Sequence, residues 1–137
     1  MASARREITI NATPMKIWTM LGDVTKWPAW NPKVAGGKML QGDEFYPGST
    51  FEYKLEGKPL VGTITLIDRP KALAWRAGGS RVSMKLEAAG PDATRVIGET
   101  ETAGGLLASL RKAKAEAEAQ EVCQQWLSAL KAAVEKA

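Results

Sequence analysis

The chain contains no histidine and a single cysteine, Cys123. The first absence removes the commonest general base and a common metal ligand. The second excludes an intrachain disulfide, and a lone Cys on an apolar stripe behaves as a small hydrophobe. No apolar run approaches a membrane span, and Met1 to Arg6 is polar with no apolar signal region. The expected location is the cytoplasm. A Ser-His-Asp set, a metal-ligand cluster, a P-loop and a dinucleotide-type glycine motif are all missing. No metal and no cofactor are expected, and any catalysis would rest on Tyr, Glu, Arg, Gln and bound water. No proline follows Pro91 and no glycine follows Gly105, so nothing interrupts a helix over the last third.

What is present points to one domain spanning 1–137, long enough to hold a core without staples. Hydrophobic residues make up 45% and charged residues 25%, as in an ordinary globular protein. The net charge is +4, but Lys and Arg are interleaved with Asp and Glu. The one basic cluster, Arg111, Lys112 and Lys114, is followed by Glu116 and Glu118 at helical contact spacing. That pattern describes a solvated helix face, and no nucleic-acid partner is expected.

Glu7 to Asn11 alternates like a half-buried strand, with Ile8 and Ile10 on one side. Thr13-Pro14 is an N-cap followed by proline at the first helical position, and the helix should run to about Leu21. Asp23 starts a second short turn. Pro28 and Pro32 bracket Trp30-Asn31 and keep it short. From Val34 to Thr102, turn signals recur about every 10 residues, which predicts an antiparallel meander. Alternating sets are Phe51, Tyr53 and Leu55; Ile64 and Leu66; Leu73 and Trp75; Val82, Met84 and Leu86. One sheet face is therefore buried and the other wet. In the strand ending at Thr102, Val96 should face inward with Gly98 and Thr100, leaving Glu99 and Glu101 in solvent.

Gly104 to Ala137 reads as one long helix with the inward stripe Leu106, Leu110, Ala113, Ala117, Gln120, Cys123, Leu127, Leu130 and Val134. Its ends are bulky and its centre is Ala, Ala and Gln. Cores are filled to crystal-like density, so small residues facing a sheet predict a cavity of a few hundred cubic ångströms there.

The element order is strand, two short helices, six strands, long helix. It carries Ala12-Thr13-Pro14, Ile17-Trp18, Leu21-Gly22-Asp23 and Trp27-Pro28-Ala29-Trp30-Asn31-Pro32. Further on come Asp68-Arg69-Pro70 before Leu73-Ala74-Trp75-Arg76, and Leu127-x-x-Leu130-Lys131 with Glu135 after it. This set resembles the START-like or SRPBCC superfamily, in its polyketide cyclase/dehydrase-like branch. The resemblance implies an α+β helix-grip fold, a curved seven-stranded antiparallel sheet wrapped around the C-terminal helix with an elongated cavity between them. Gly98 and Glu99 depart from the bulkier residues or His that many relatives carry there.

The expected function is binding of a hydrophobic or amphipathic small molecule in that cavity. The alternatives are a cyclase or dehydratase using the same cavity, and a co-chaperone-type interaction module. The expected ligand-binding residues are Trp30, Phe51, Tyr53, Ile64, Trp75, Met84, Ala113, Ala117 and Gln120, with no catalytic residue assigned. Trp27 should anchor the short helices, whereas Trp30 fits either core or cavity mouth. Gln120, if buried, needs a partner such as water, Tyr53 or a ligand. Otherwise it sits at the helix rim. The oligomeric state is left open.

Overall fold

The computed structural model describes residues 2–42, 44–102 and 112–136, with the side chains of 2, 3, 102, 112–119 and 136 excepted. Strand β1 (Ala2–Ile10) leads into helix α1 (Pro14–Leu21). Thr13 caps α1 by accepting from the Lys16 amide at 3.3 Å, and Ile17, Trp18 and Leu21 form its buried face. Asp23 caps the next turn, Val24–Lys26, by accepting from the Thr25 amide at 3.0 Å. Helix α2 (Trp27–Trp30) follows directly and ends at Asn31.

Six strands come next: β2 (Val34–Met39), β3 (Thr50–Leu55), β4 (Lys58–Asp68), β5 (Ala72–Ala77), β6 (Ser80–Gly90) and β7 (Ala93–Thr102). Helix α3 (Lys112–Lys136) closes the described chain. The seven strands form one antiparallel sheet in the order β1-β7-β6-β5-β4-β3-β2. The tight β5–β6 connection works because Gly78 and Gly79 both take positive φ, at 56° and 81°.

Helix α3 lies over β1 and β7. Cys123, Trp126, Leu127, Leu130 and Val134 face the sheet and are all nearly inaccessible. Gly98 makes the approach possible. A Cβ there would stand 3.1 Å from Cys123 Sγ and 3.3 Å from Leu127 Cδ2. The far end is tied down by the Asn11 amide donating to Glu135 Oε2 at 2.9 Å and Lys131 Nζ donating to the Thr9 carbonyl at 2.6 Å. The helix therefore runs alongside β1 in the same direction.

Two expectations change, and part of a third lies outside the described residues. The helix is described from Lys112, and residues 103–111, where Leu106 and Leu110 lie, fall outside the described residues. A bulge between Ile64 and Leu66 turns the strand over, so Leu66 is exposed and Ile67 is half-buried instead. Trp126, absent from the expected stripe, is buried on it. The parity of β7 holds, with Val96, Gly98 and Thr100 inward and Glu99 and Glu101 exposed. Ile97, on the outer face between Glu7 and Lys85, is nonetheless buried.

Candidate functional site

The concave face has two unlike ends. At one end α2 drives Trp27 into the space under the sheet. Its indole N–H donates to the Leu21 carbonyl at 2.9 Å, which fixes the ring. Five aromatic rings surround it: Trp75 at 4.9 Å between centroids, Tyr53 and Trp126 at 5.3 Å, Phe51 at 5.4 Å and Phe45 at 6.0 Å. The Phe51 ring lies over Gly62 on β4, where a Cβ would collide with it.

Several expected site residues lie in or beside this packing. Phe51, Ile64, Trp75 and Met84 are each 0–1% exposed and belong to the hydrophobic core. The Trp27 ring stands against Phe51 and Trp75. Trp30 also belongs to the core: its N–H donates to the Met20 carbonyl at 3.0 Å and its ring packs edge-on against Trp126 at 5.6 Å. The side chains of Ala113 and Ala117, expected to face the cavity, lie outside the described residues.

The other end is formed by the tips of the β3–β4 and β5–β6 hairpins, the start of β1, the end of β7 and the N-terminal half of α3. Several of its described residues are less covered. Leu55, Leu60 and Val82 are only partly buried, and Gln120 on α3 is half-buried. Paired positions set one row across the sheet: Ile64, Trp75, Val82, Thr100 and Ala4. Outside this end, between the Leu55–Lys58 turn and α3, runs a groove of about 560 Å³ walled by Lys33, Leu55, Glu56, Lys58, Glu121, Val122 and Gln125.

Two buried side-chain oxygens at this end have no hydrogen-bond partner, Thr100 Oγ1 on the sheet and Gln120 Oε1 on the helix. An unsatisfied buried polar group costs about 1–3 kcal/mol. Thr94, on the same face of the same strand, shows the ordinary solution: its hydroxyl donates to the Ala12 carbonyl at 2.8 Å. The third such atom, Asn31 Nδ2, lies where α2 meets α3. There Asn31 Oδ1 accepts from Gln125 Nε2 at 2.6 Å and from the Lys33 amide at 3.0 Å.

Tyr53 joins the two ends. Its hydroxyl accepts from the Trp75 indole at 3.2 Å, and burial pushes the phenol above its ordinary pKa despite that bond. At neutral pH it is a donor, not a base. Glu99 and Glu101 lie in solvent on the outer face, where Glu99 pairs with Arg5 at 3.5 Å. Burial likewise raises the Cys123 thiol, which keeps it protonated. Among the described residues no group of three or more Cys, Asp or Glu side chains is placed to hold a metal. No described helix is long and apolar enough to cross a membrane.

Sequence reasoning named Gln120 and Tyr53 but missed Thr100 and Trp126. The Thr100 signal was its inward parity, which marks a hydroxyl facing the core. The Trp126 signal was its spacing, three after Cys123 and four before Leu130.

The sequence was compared with known proteins. The profile of the family described as "Polyketide cyclase / dehydrase and lipid transport" matches residues 1–135. No functionally curated protein matches. Among solved structures, a START superfamily protein from Mycobacterium smegmatis superposes with a TM-score of 0.77 at 16% identity, covering 99% of each chain. The hypothetical protein jhp0584 from Helicobacter pylori gives 0.78 at 17% identity, covering 96% of this chain and 87% of that one. The di-domain ARO/CYC BexL from the BE-7585A biosynthetic pathway gives 0.82 at 14% identity, covering 98% of this chain and 47% of that one. At these identities the structural likeness speaks for the fold, and the profile match speaks for descent. The chain belongs to the polyketide cyclase/dehydrase and lipid-transport family of the START-like, or SRPBCC, superfamily.

Proposed function

We propose that this protein binds a hydrophobic or amphipathic small molecule at the open end of the grip, between the Val82–Thr100 part of the sheet and Gln120 on α3. One observation carries the reading. Two partnerless oxygens, Thr100 Oγ1 and Gln120 Oε1, are buried on opposite walls of an otherwise apolar interior. A core built only for stability satisfies such atoms or replaces them. A groove beside Leu55, Val122 and Gln125 borders the same end. The family description, which includes lipid transport, supports the same reading.

An enzyme of the cyclase or dehydratase kind would need an acid or base inside. Among the described residues no carboxylate, Lys or Arg is buried, and burial keeps the Tyr53 phenol protonated. Binding is therefore the better-supported role. Among the described residues the exposed large hydrophobics Met15, Leu40, Tyr46, Val61, Leu66 and Val122 are spread over α1, the β2–β3 connection, β4 and α3, which gives the interaction-module reading little to stand on.

The test is native mass spectrometry of protein purified without denaturation, beside a Val82→Trp variant that fills the open end. Retained apolar molecules in the parent, absent from a folded variant, are expected. Equal retention in both would remove the site from this end.

A further inference from the structure

We infer that the ligand is a neutral molecule carrying a hydroxyl group, held as the middle member of a hydrogen-bond chain from Thr100 through that hydroxyl to Gln120. This rests on the binding reading above and adds the chemistry of the bound group.

Placement comes first. Cys123 sits against Gly98, at 3.1 Å from where a Cβ would stand. Helix α3 runs in the direction of β1 and so against β7. Three residues back along the helix, about 4.5 Å, lead from Cys123 to Gln120. Two residues onward along β7, about 6.8 Å, lead from Gly98 to Thr100. Gln120 therefore stands over Thr100. Both oxygens are sealed from solvent and neither bonds to the other or to any neighbour, so a group admitted between them would give each the partner it lacks.

Polarity comes next. Gln120 Oε1 only accepts, so the bridging atom must carry a hydrogen. Thr100 Oγ1 can donate as well as accept. A hydroxyl does both jobs at once: it takes the Thr100 hydrogen and gives its own to Gln120. A carboxylate, ketone or ether only accepts and leaves Gln120 Oε1 bare. A carboxylate would also bring a charge into a site where no described cation is buried; Arg6, opposite Gly98 on β1, is exposed. The apolar remainder of the molecule would lie against Val82 and Leu60, the half-covered side chains of the same end.

The probes are 2-naphthol, 2-methoxynaphthalene and 2-naphthoate, titrated calorimetrically into the full chain. We expect 2-naphthol to bind about tenfold more tightly than the ether, the worth of one neutral hydrogen bond, and naphthoate more weakly still. Thr100→Val and Gln120→Leu, checked for folding by circular dichroism, should each bring 2-naphthol down to the ether's affinity. Thr100→Ser should keep the preference. Equal binding of all three probes, tightest binding of naphthoate, or a preference that survives both variants would overturn the inference and leave the binding reading standing. Failure of every probe to bind would count against the binding reading itself.

Discussion

The two ends of the concave face are built from the same sheet and covered by the same helix, yet they follow opposite rules. At the Trp27 end every ring has neighbours on all sides and each named indole N–H has an acceptor. At the Thr100 end the side chains are small or half-covered and two oxygens are left without partners. Stability is concentrated in the first and is given up in the second. The difference teaches that the grip is not uniformly hollow. Helix α2 fills one part of it, and the proposed site lies at the other, where Thr100 and Gln120 carry the partnerless oxygens.

The comparison is sharpest at Trp27. Trp27→Ala should cost about 3–5 kcal/mol in urea melts, because five packed rings lose their common neighbour. A loss below about 1 kcal/mol would mean that this end is as open as the other. At the seam between the ends, Gly98→Val should cost about 1–3 kcal/mol, since Cys123 Sγ and Leu127 stand where its side chain must go.

The two inward threonines of β7 make a finer test. Thr94→Val should cost about 1 kcal/mol or more, because the Ala12 carbonyl loses its donor. Thr100→Val should cost nothing and can stabilise, because it removes a partnerless hydroxyl. Denaturation midpoints at constant slope read both. Equal costs would erase the distinction between the ends.

The smallest effect is electrostatic and lies away from both. The Glu135 carboxyl is held below its ordinary pKa, first by Lys131 and then by the Asn11 amide. Its contribution is therefore present above the ordinary carboxylate pKa and is lost as pH falls through the lowered folded value. Glu135→Gln should be mildly less stable than the parent at neutral pH, and the gap should close in acid. The ion pair is exposed and screened, so the shift in melting temperature will be small. A gap that widened in acid would contradict the assignment.

Much of this was legible from local chemistry. Thr13-Pro14 placed α1, the glycine turns placed the hairpins, and alternation placed the wet and buried faces, including exposed Glu99 and Glu101. These follow from propensities and periods that act within a few residues. What failed needed one more residue or one more partner. A bulge after Ile64 cannot be seen in an alternating pattern until the strand is paired, and it moved Leu66 to the surface. The small centre of the long helix suggested unfilled space, but Ala113 and Ala117 lie outside the described side chains, and no spacing along the chain says where α2 sends Trp27.

By itself, then, the sequence determined the elements, their order, the buried faces and the family. Those depend on local geometry and on a pattern distributed over the whole chain. Only the tertiary structure decided that Trp27 fills one end of the grip and that Thr100 Oγ1 and Gln120 Oε1 are buried without partners at the other. Whether a buried hydroxyl has a partner is a property of three-dimensional packing, and no spacing along the chain records it.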